Sequence, residues 1–154
     1  MSQQPNPTQP AFSVEKLFVK DLSIEVPNAP RIYLERDPPQ IEIQMNNAAN
    51  PIDDGYYVVL LTVTVTAKLG DKSVFLVEAT QGGVFQIRNV PQPEMEVVLG
   101  VTCPNILFPY VREVISDAVV RAGFPPVVLA PMNFEAIHQA RQQSQAQAAA
   151  APTH

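Results

Sequence analysis

The order of hydrophobic patterns predicts an α+β fold: a four-stranded antiparallel sheet with helices packed on one face. Four stretches between Phe12 and Ile87 alternate apolar and polar residues in twos. Beyond Cys103 the apolar residues recur in threes and fours, and the strands all precede the helices.

The first strand is expected to begin near Phe12. Phe12, Val14, Phe18, Leu22, Ile24 and Val26 fall on one face and Ser13, Glu15, Asp21, Ser23 and Glu25 on the other, until Pro27-Asn28-Ala29-Pro30 stops it. Arg31 to Gln40 reads as a crossing connection, because Pro38-Pro39 cannot occupy a central strand; Tyr33 and Leu34 sit on it without an evident core role. A short second strand alternates Ile41, Ile43 and Met45 against Glu42, Gln44 and Asn46, and a turn-rich stretch from Asn46 to Gly55 follows.

Tyr56 to Leu69 is the strongest strand pattern, rich in β-branched residues, with Leu61, Val63, Val65 and Ala67 opposite Thr62, Thr64 and Thr66. Gly70-Asp71-Lys72 turns it into a fourth strand from Ser73 to about Ile87. Here Phe75, Val77 and Ala79 oppose Val74, Leu76, Glu78 and Thr80, and Gly82-Gly83 marks either a bulge or a close backbone contact.

Glu94 to Leu99 is expected to form a short helix. The main helix lies between Ile106 and Ala122, where Leu107, Val111, Ile115, Ala118 and Val119 share one side and Arg112, Glu113, Asp117 and Arg121 the other. It starts at Asn105, a good cap, or only at Pro109, which disfavours helical geometry at Phe108. Gly123 and Pro125-Pro126 end it. Ile106, Tyr110, Val114 and Val119 make the stripe wider than one sheet face covers, a first sign of self-association. Residues 125–131 are expected to be irregular, with Asn133 capping a second helix through Phe134, Ile137 and Ala140.

The 154 residues have room for one core. A domain over residues 11–141 is therefore expected, between a disordered segment 1–10 and a flexible Gln- and Ala-rich tail, 142–154. The net charge of -5 leaves no basic cluster for nucleic acid. No apolar run approaches the ~20 residues that cross a bilayer. The opening MSQQPNPTQP lacks the basic start and apolar centre of a signal peptide, so a cytoplasmic location is expected.

Enzyme chemistry finds little support. Cys103 is the lone cysteine, its candidate bases are His138 and His154, and its apolar neighbourhood favours a buried structural thiol. One Cys and two distant His make no metal-ligand set, Asp53-Asp54 before Gly55 reads as a turn, and no Gly-rich nucleotide loop is present. No cofactor and no metal are expected. Surfaces remain: the wide helical stripe, the apolar residues of the crossing segment, and an acidic stripe at Asp21 and Glu25 that is either a solvated face or a docking site.

From Leu17 to Phe134 the chain resembles the SecB family of tetrameric export chaperones. The resemblance rests on Lys20-Asp21-Leu22-Ser23-Ile24-Glu25, Pro27-Asn28-Ala29-Pro30, Val63-Thr64-Val65-Thr66-Ala67, Gln81-Gly82-Gly83, Cys103 to Tyr110 and Leu129 to Phe134. It implies a non-enzymatic chaperone that holds unfolded precursors for export without ATP and hands them to the ATPase SecA. It implies a homotetramer, a dimer of dimers packed through the long helices, with Leu107, Val111, Val114, Ile115 and Ala118 as expected contacts. It also implies a SecA patch at Asp21, Glu25, Leu76 and Glu78, and a client groove at Tyr33, Leu34, Phe134 and Ile137. The chain departs from the family's pattern at Asp37, where a tryptophan is frequent, and at His138 and Arg141 on the last helix. Those departures motivate a second reading, an adaptor or chaperone for a single partner such as a toxin–antitoxin system.

Overall fold

The computed structural model describes residues 9–150. Most of the segment expected to be disordered, His154, and the end of the expected tail lie outside the described residues. Strands β1 (Ala11–Glu25), β2 (Gln40–Asp53), β3 (Tyr56–Leu69) and β4 (Lys72–Arg88) form one sheet in the order β1-β4-β3-β2, with every pairing antiparallel. The expected α+β architecture is present. Because β1 and β2 occupy opposite edges, the connection between them must cross the sheet. Ile32, buried in a single 3-10 turn (Arg31–Leu34), pins that crossing to the core.

Two features of β1 differ from the simple alternation. Glu15 and Lys20 have no partner in the register with β4, so each is a bulge that resets which residues face the helices. The helix-side residues are Phe12 and Val14, then Leu17 and Val19, then Leu22 and Ile24, opposite Ile87, Phe85, Gly83, Gln81, Ala79 and Val77. Phe18, expected beside Val14, thus lies on the outer face against Gly82. A Cβ at Gly82 would collide with the Phe18 ring, and one at Gly83 would come within 2.6 Å of Phe85 and 3.0 Å of Leu107. The glycine pair is therefore a site of close contact within an unbroken strand.

The second strand is longer than its pattern suggested. β2 runs to Asp53, because an edge strand tolerates Pro51, and the register slips only beyond it. At the other end of β3, Gly70 takes φ +59° in the two-residue turn to β4. Val74, expected on the outer face, is the unpaired residue of a fourth irregularity and is buried beneath the crossing segment.

The helical region also begins earlier than expected. Helix α1 (Gln92–Val97) continues through a π-helical turn, Val98–Thr102, into α2 (Cys103–Arg121). The Cys103 N–H bonds to the Val98 carbonyl five residues back. This widened turn precedes Pro104, whose ring would otherwise press on the carbonyl of Gly100. Pro109 is accommodated inside α2 because it and Asn105 both lie on the exposed side, where water can take up the Asn105 carbonyl. The continuous helix Gln92–Arg121 is long and apolar enough to span a bilayer by length and composition. In this fold its apolar side packs on β4 and β3, forming the core with Phe75, Phe85, Leu61 and Val63. Gly123, at φ +94°, ends α2.

Helix α3 (Phe134–Ala150) is capped by Asn133, whose Oδ1 accepts the Ala136 N–H at 2.9 Å. It extends as helix through residues 142–150, all of them exposed. Its anchors are Phe134, edge-on to Phe108 with centroids 5.9 Å apart, and His138, whose ring covers Gly100.

Candidate functional site

The register places the four proposed SecA-patch residues together on the face opposite the helices. Three cross-strand rows define the patch: Asp21–Thr80–Thr62–Asn46, Ser23–Glu78–Thr64–Gln44 and Glu25–Leu76–Thr66–Glu42. At ~3.3 Å per residue, Asp21 and Glu25 are about 13 Å apart along β1, with Glu78 on the adjacent strand between them. Leu76 supplies an exposed apolar contact in the middle of the third row. Glu42, at the far end of that row, is an additional acid which the sequence reading placed outward on its strand without joining it to the patch.

The patch is tied together by hydroxyls. Thr62 and Thr80 Oγ1 atoms lie 2.8 Å apart, and Thr64 donates to Glu78 Oε2 at 2.9 Å. The ion pairs among the described residues, Lys72–Glu35, Arg88–Asp54 and Arg121–Asp117, involve none of Asp21, Glu25 and Glu78. Their negative charge is thus left available to a partner.

The proposed groove residues occupy two ends of a longer feature. Tyr33 stacks on Phe124 with centroids 5.2 Å apart and donates to the Ala122 carbonyl at 2.7 Å, at the C-terminal end of α2. Phe134 meets Phe108 near the other end, about 21 Å from Ala122 at 1.5 Å per helical residue. Between them run the helix-side residues of edge strand β2 and the extended segment 124–133. A hollow of about 420 Å³ is lined by residues including Ile41, Asp37, Pro38, Phe124 and Val127. A second, of about 160 Å³, is lined by residues including Ile43, Met45, Leu129 and Met132.

Exposure distinguishes contact surface from support. Leu34 is 80% exposed, Val128 74%, Ile43 45% and Ile137 38%, whereas Phe134 is only 3% exposed. Phe134 therefore backs the groove and cannot be one of its contact residues without moving. Asp37 does reach the groove, whereas the His138 ring is turned onto Gly100. Ile41, Ile43, Met45 and Met132 line these hollows but were not named as candidate groove residues from the sequence. The alternation of Ile41, Ile43 and Met45 was visible, but that β2 is an edge becomes clear only from the topology.

The expected helix contacts require correction. Leu107, Val111 and Ile115 are fully buried and Ala118 nearly so, against the protomer's own sheet; Val114 is half-buried. The exposed apolar residues of α2 are Tyr110 and Val120. A larger uncovered area lies on β1, since α2 lies chiefly over β4 and β3, leaving Phe12, Val14, Val19 and Leu22 between 42% and 47% exposed.

Cys103 is buried, and desolvation raises its thiol from 9.0 to about 12. It is therefore a neutral packing group. Among the described residues, no three His, Cys, Asp or Glu side chains gather to hold a metal.

Residues 5–145 match the family described as preprotein translocase subunit SecB. The chain is 58% identical over 146 residues to the protein-export protein SecB of Methylobacillus flagellatus, covering 95% of this chain and 93% of that one. It is 64% identical over 135 residues to that of an Azoarcus species, covering 87% and 89%. Among solved structures it is similar to the Mycobacterium tuberculosis SecB-like chaperone Rv1957 in complex with a ChAD peptide from the HigA1 antitoxin. That match has a TM-score of 0.63 at 17% identity, covers 79% of this chain and 88% of that one, and bears on the fold.

Proposed function

The chain belongs to the SecB family and serves as a chaperone of Sec-dependent protein export; from this premise we propose how its surfaces divide the work. The helix-side groove beside β2 holds unfolded precursors, and the acidic outer face presents them to SecA. The observation that carries this reading is the separation of an apolar, open-edged surface from an acidic one by the thickness of a single sheet.

An edge strand has unpaired backbone groups that any extended chain can engage regardless of sequence. Ile41, Ile43, Val128 and Ile137 add apolar contacts without a deep, selective pocket. Holding requires no bond to be made or broken, so ATP and catalysis have no part in it. On the other face, Asp21, Glu25 and Glu78 favour a cationic docking surface, with Leu76 as its apolar contact.

The uncovered helix side of β1, with Tyr110 and Val120 on α2, supports self-association into the tetramer. Leu107, Val111, Ile115 and Ala118 contribute indirectly by fixing α2 on its sheet. The site of action is the cytoplasm, where precursors are still unfolded. A toxin–antitoxin role is not favoured, because the antitoxin peptide belongs to the Rv1957 structure, which this chain resembles at 17% identity.

Light scattering of the purified protein, alone and with a chemically unfolded precursor, tests this reading. The expected result is a tetramer that gains the mass of the unfolded chain and ignores the native one. A monomer indifferent to both would overturn it.

A further inference from the structure

We propose that Thr64 is a positioning residue for the acidic face: its hydroxyl orients the Glu78 carboxylate toward the partner. This inference rests on the docking role given to that face above. Thr64 and Glu78 are directly opposed in the β3–β4 register, and Thr64 Oγ1 donates to Glu78 Oε2 at 2.9 Å. Both side chains are half-buried among their row neighbours.

Glutamate has three side-chain torsions, and an unrestrained carboxylate on a sheet surface samples many orientations. The threonine removes much of that freedom before the partner arrives. A β-branched residue is itself stiff about χ1, so its hydroxyl is held in a defined direction. The hydrogen bond also selects one oxygen, leaving Oε1 for a cationic donor of the partner. No cation competes, since Glu78 takes part in none of the ion pairs among the described residues.

The next row strengthens the assignment. Thr62 and Thr80 bond each other at 2.8 Å, so Thr80, two residues from Glu78 on the same strand, is already engaged. Among the described residues no hydroxyl bonds Asp21 or Glu25, and both lie exposed on the edge strand. Glu78 is therefore the pre-oriented acid of the patch, flanked by two exposed acids on the neighbouring strand.

The test is a double-mutant cycle on the assembled protein, with affinity for purified SecA as the readout and retention of an unfolded precursor as the control. Thr64→Val preserves shape and strand preference while removing the hydroxyl. It is expected to weaken SecA binding about three- to tenfold, with Thr64→Ser close to wild type. Thr64→Ala serves as a second deletion of the hydroxyl, and precursor retention is expected to stay unchanged. Combined with Glu78→Gln, Thr64→Val should cost much less than it does alone. Equal losses in both backgrounds, or no loss on Thr64→Val while Glu78→Gln weakens binding, would overturn the positioning role. No loss on Glu78→Gln itself would instead remove the docking reading on which it rests.

Discussion

The two faces of the sheet are built from the same strands yet present opposite surfaces, one polar and acidic, the other apolar. On the outer face, β3 contributes Thr62, Thr64 and Thr66, and hydrogen bonds of 2.8 and 2.9 Å hold individual side chains in place. That suits a partner of one shape, because orientation is settled before contact. On the helix face, the same strand buries Leu61, Val63 and Val65, and the exposed apolar residues lie at the rim, on β2 and the segment 124–133. That suits clients having only extended backbone and apolar side chains in common. In the proposed division of work, one β-strand alternation supplies both a specific surface and a permissive one without separate domains.

The largest break in the comparison is expected inside the helix face. Leu107→Ala should destabilise the fold by about 2–5 kcal/mol, through lost transfer energy and the cavity left beside Gly83 and Phe85. Denaturation at several protein concentrations checks this. If Leu107 acted only at an oligomer interface, a dissociated protomer would be unaffected by the substitution.

On the outer face, Glu78→Lys is expected to weaken SecA binding by about tenfold at low salt, with the difference shrinking as salt screens the wild-type attraction. Titration at two ionic strengths reads this directly. On the groove side, Ile43→Asp should weaken unfolded-chain binding about fivefold while leaving SecA affinity unchanged, since it removes apolar area and adds a charge at the rim.

The smallest effect belongs to Cys103. Its folded pKa lies above its unfolded value, so the neutral thiol favours the native state, and this contribution is lost as pH rises from 9.0 toward about 12. In the native protein the thiol should resist alkylation near neutral pH and react fully once unfolded. Rapid labelling of the folded protein would contradict its burial.

These features were unequally legible in the amino-acid order. The Thr62-Val63-Thr64-Val65-Thr66 alternation exposed both faces of β3, and Asn133 announced the start of α3, because each signal is local. The bulges at Glu15 and Lys20 were hidden: two extra residues shift the phase and then shift it again, so the pattern still passes for one alternation with Phe18 on the wrong side. The helix start was obscured by Pro104 and Pro109, since nothing in a linear reading says that a π-turn relieves the first or that the second faces water. The groove was legible only at its ends, because the connectedness of Tyr33 and Phe134 depends on β2 being an edge. The helix contacts were misplaced because a stripe shows that a face is buried, not whether by its own sheet or by a neighbour's helix.

The central claim is that client holding and SecA docking occupy opposite faces of one sheet. Its most direct test is the delay that the purified protein imposes on refolding of a slow-folding precursor, measured for wild type, Glu78→Lys and Ile43→Asp. The account predicts that Glu78→Lys delays refolding as well as wild type and that Ile43→Asp delays it markedly less. Loss of the delay in Glu78→Lys, with the assembly intact, or its full retention in Ile43→Asp, would contradict the division.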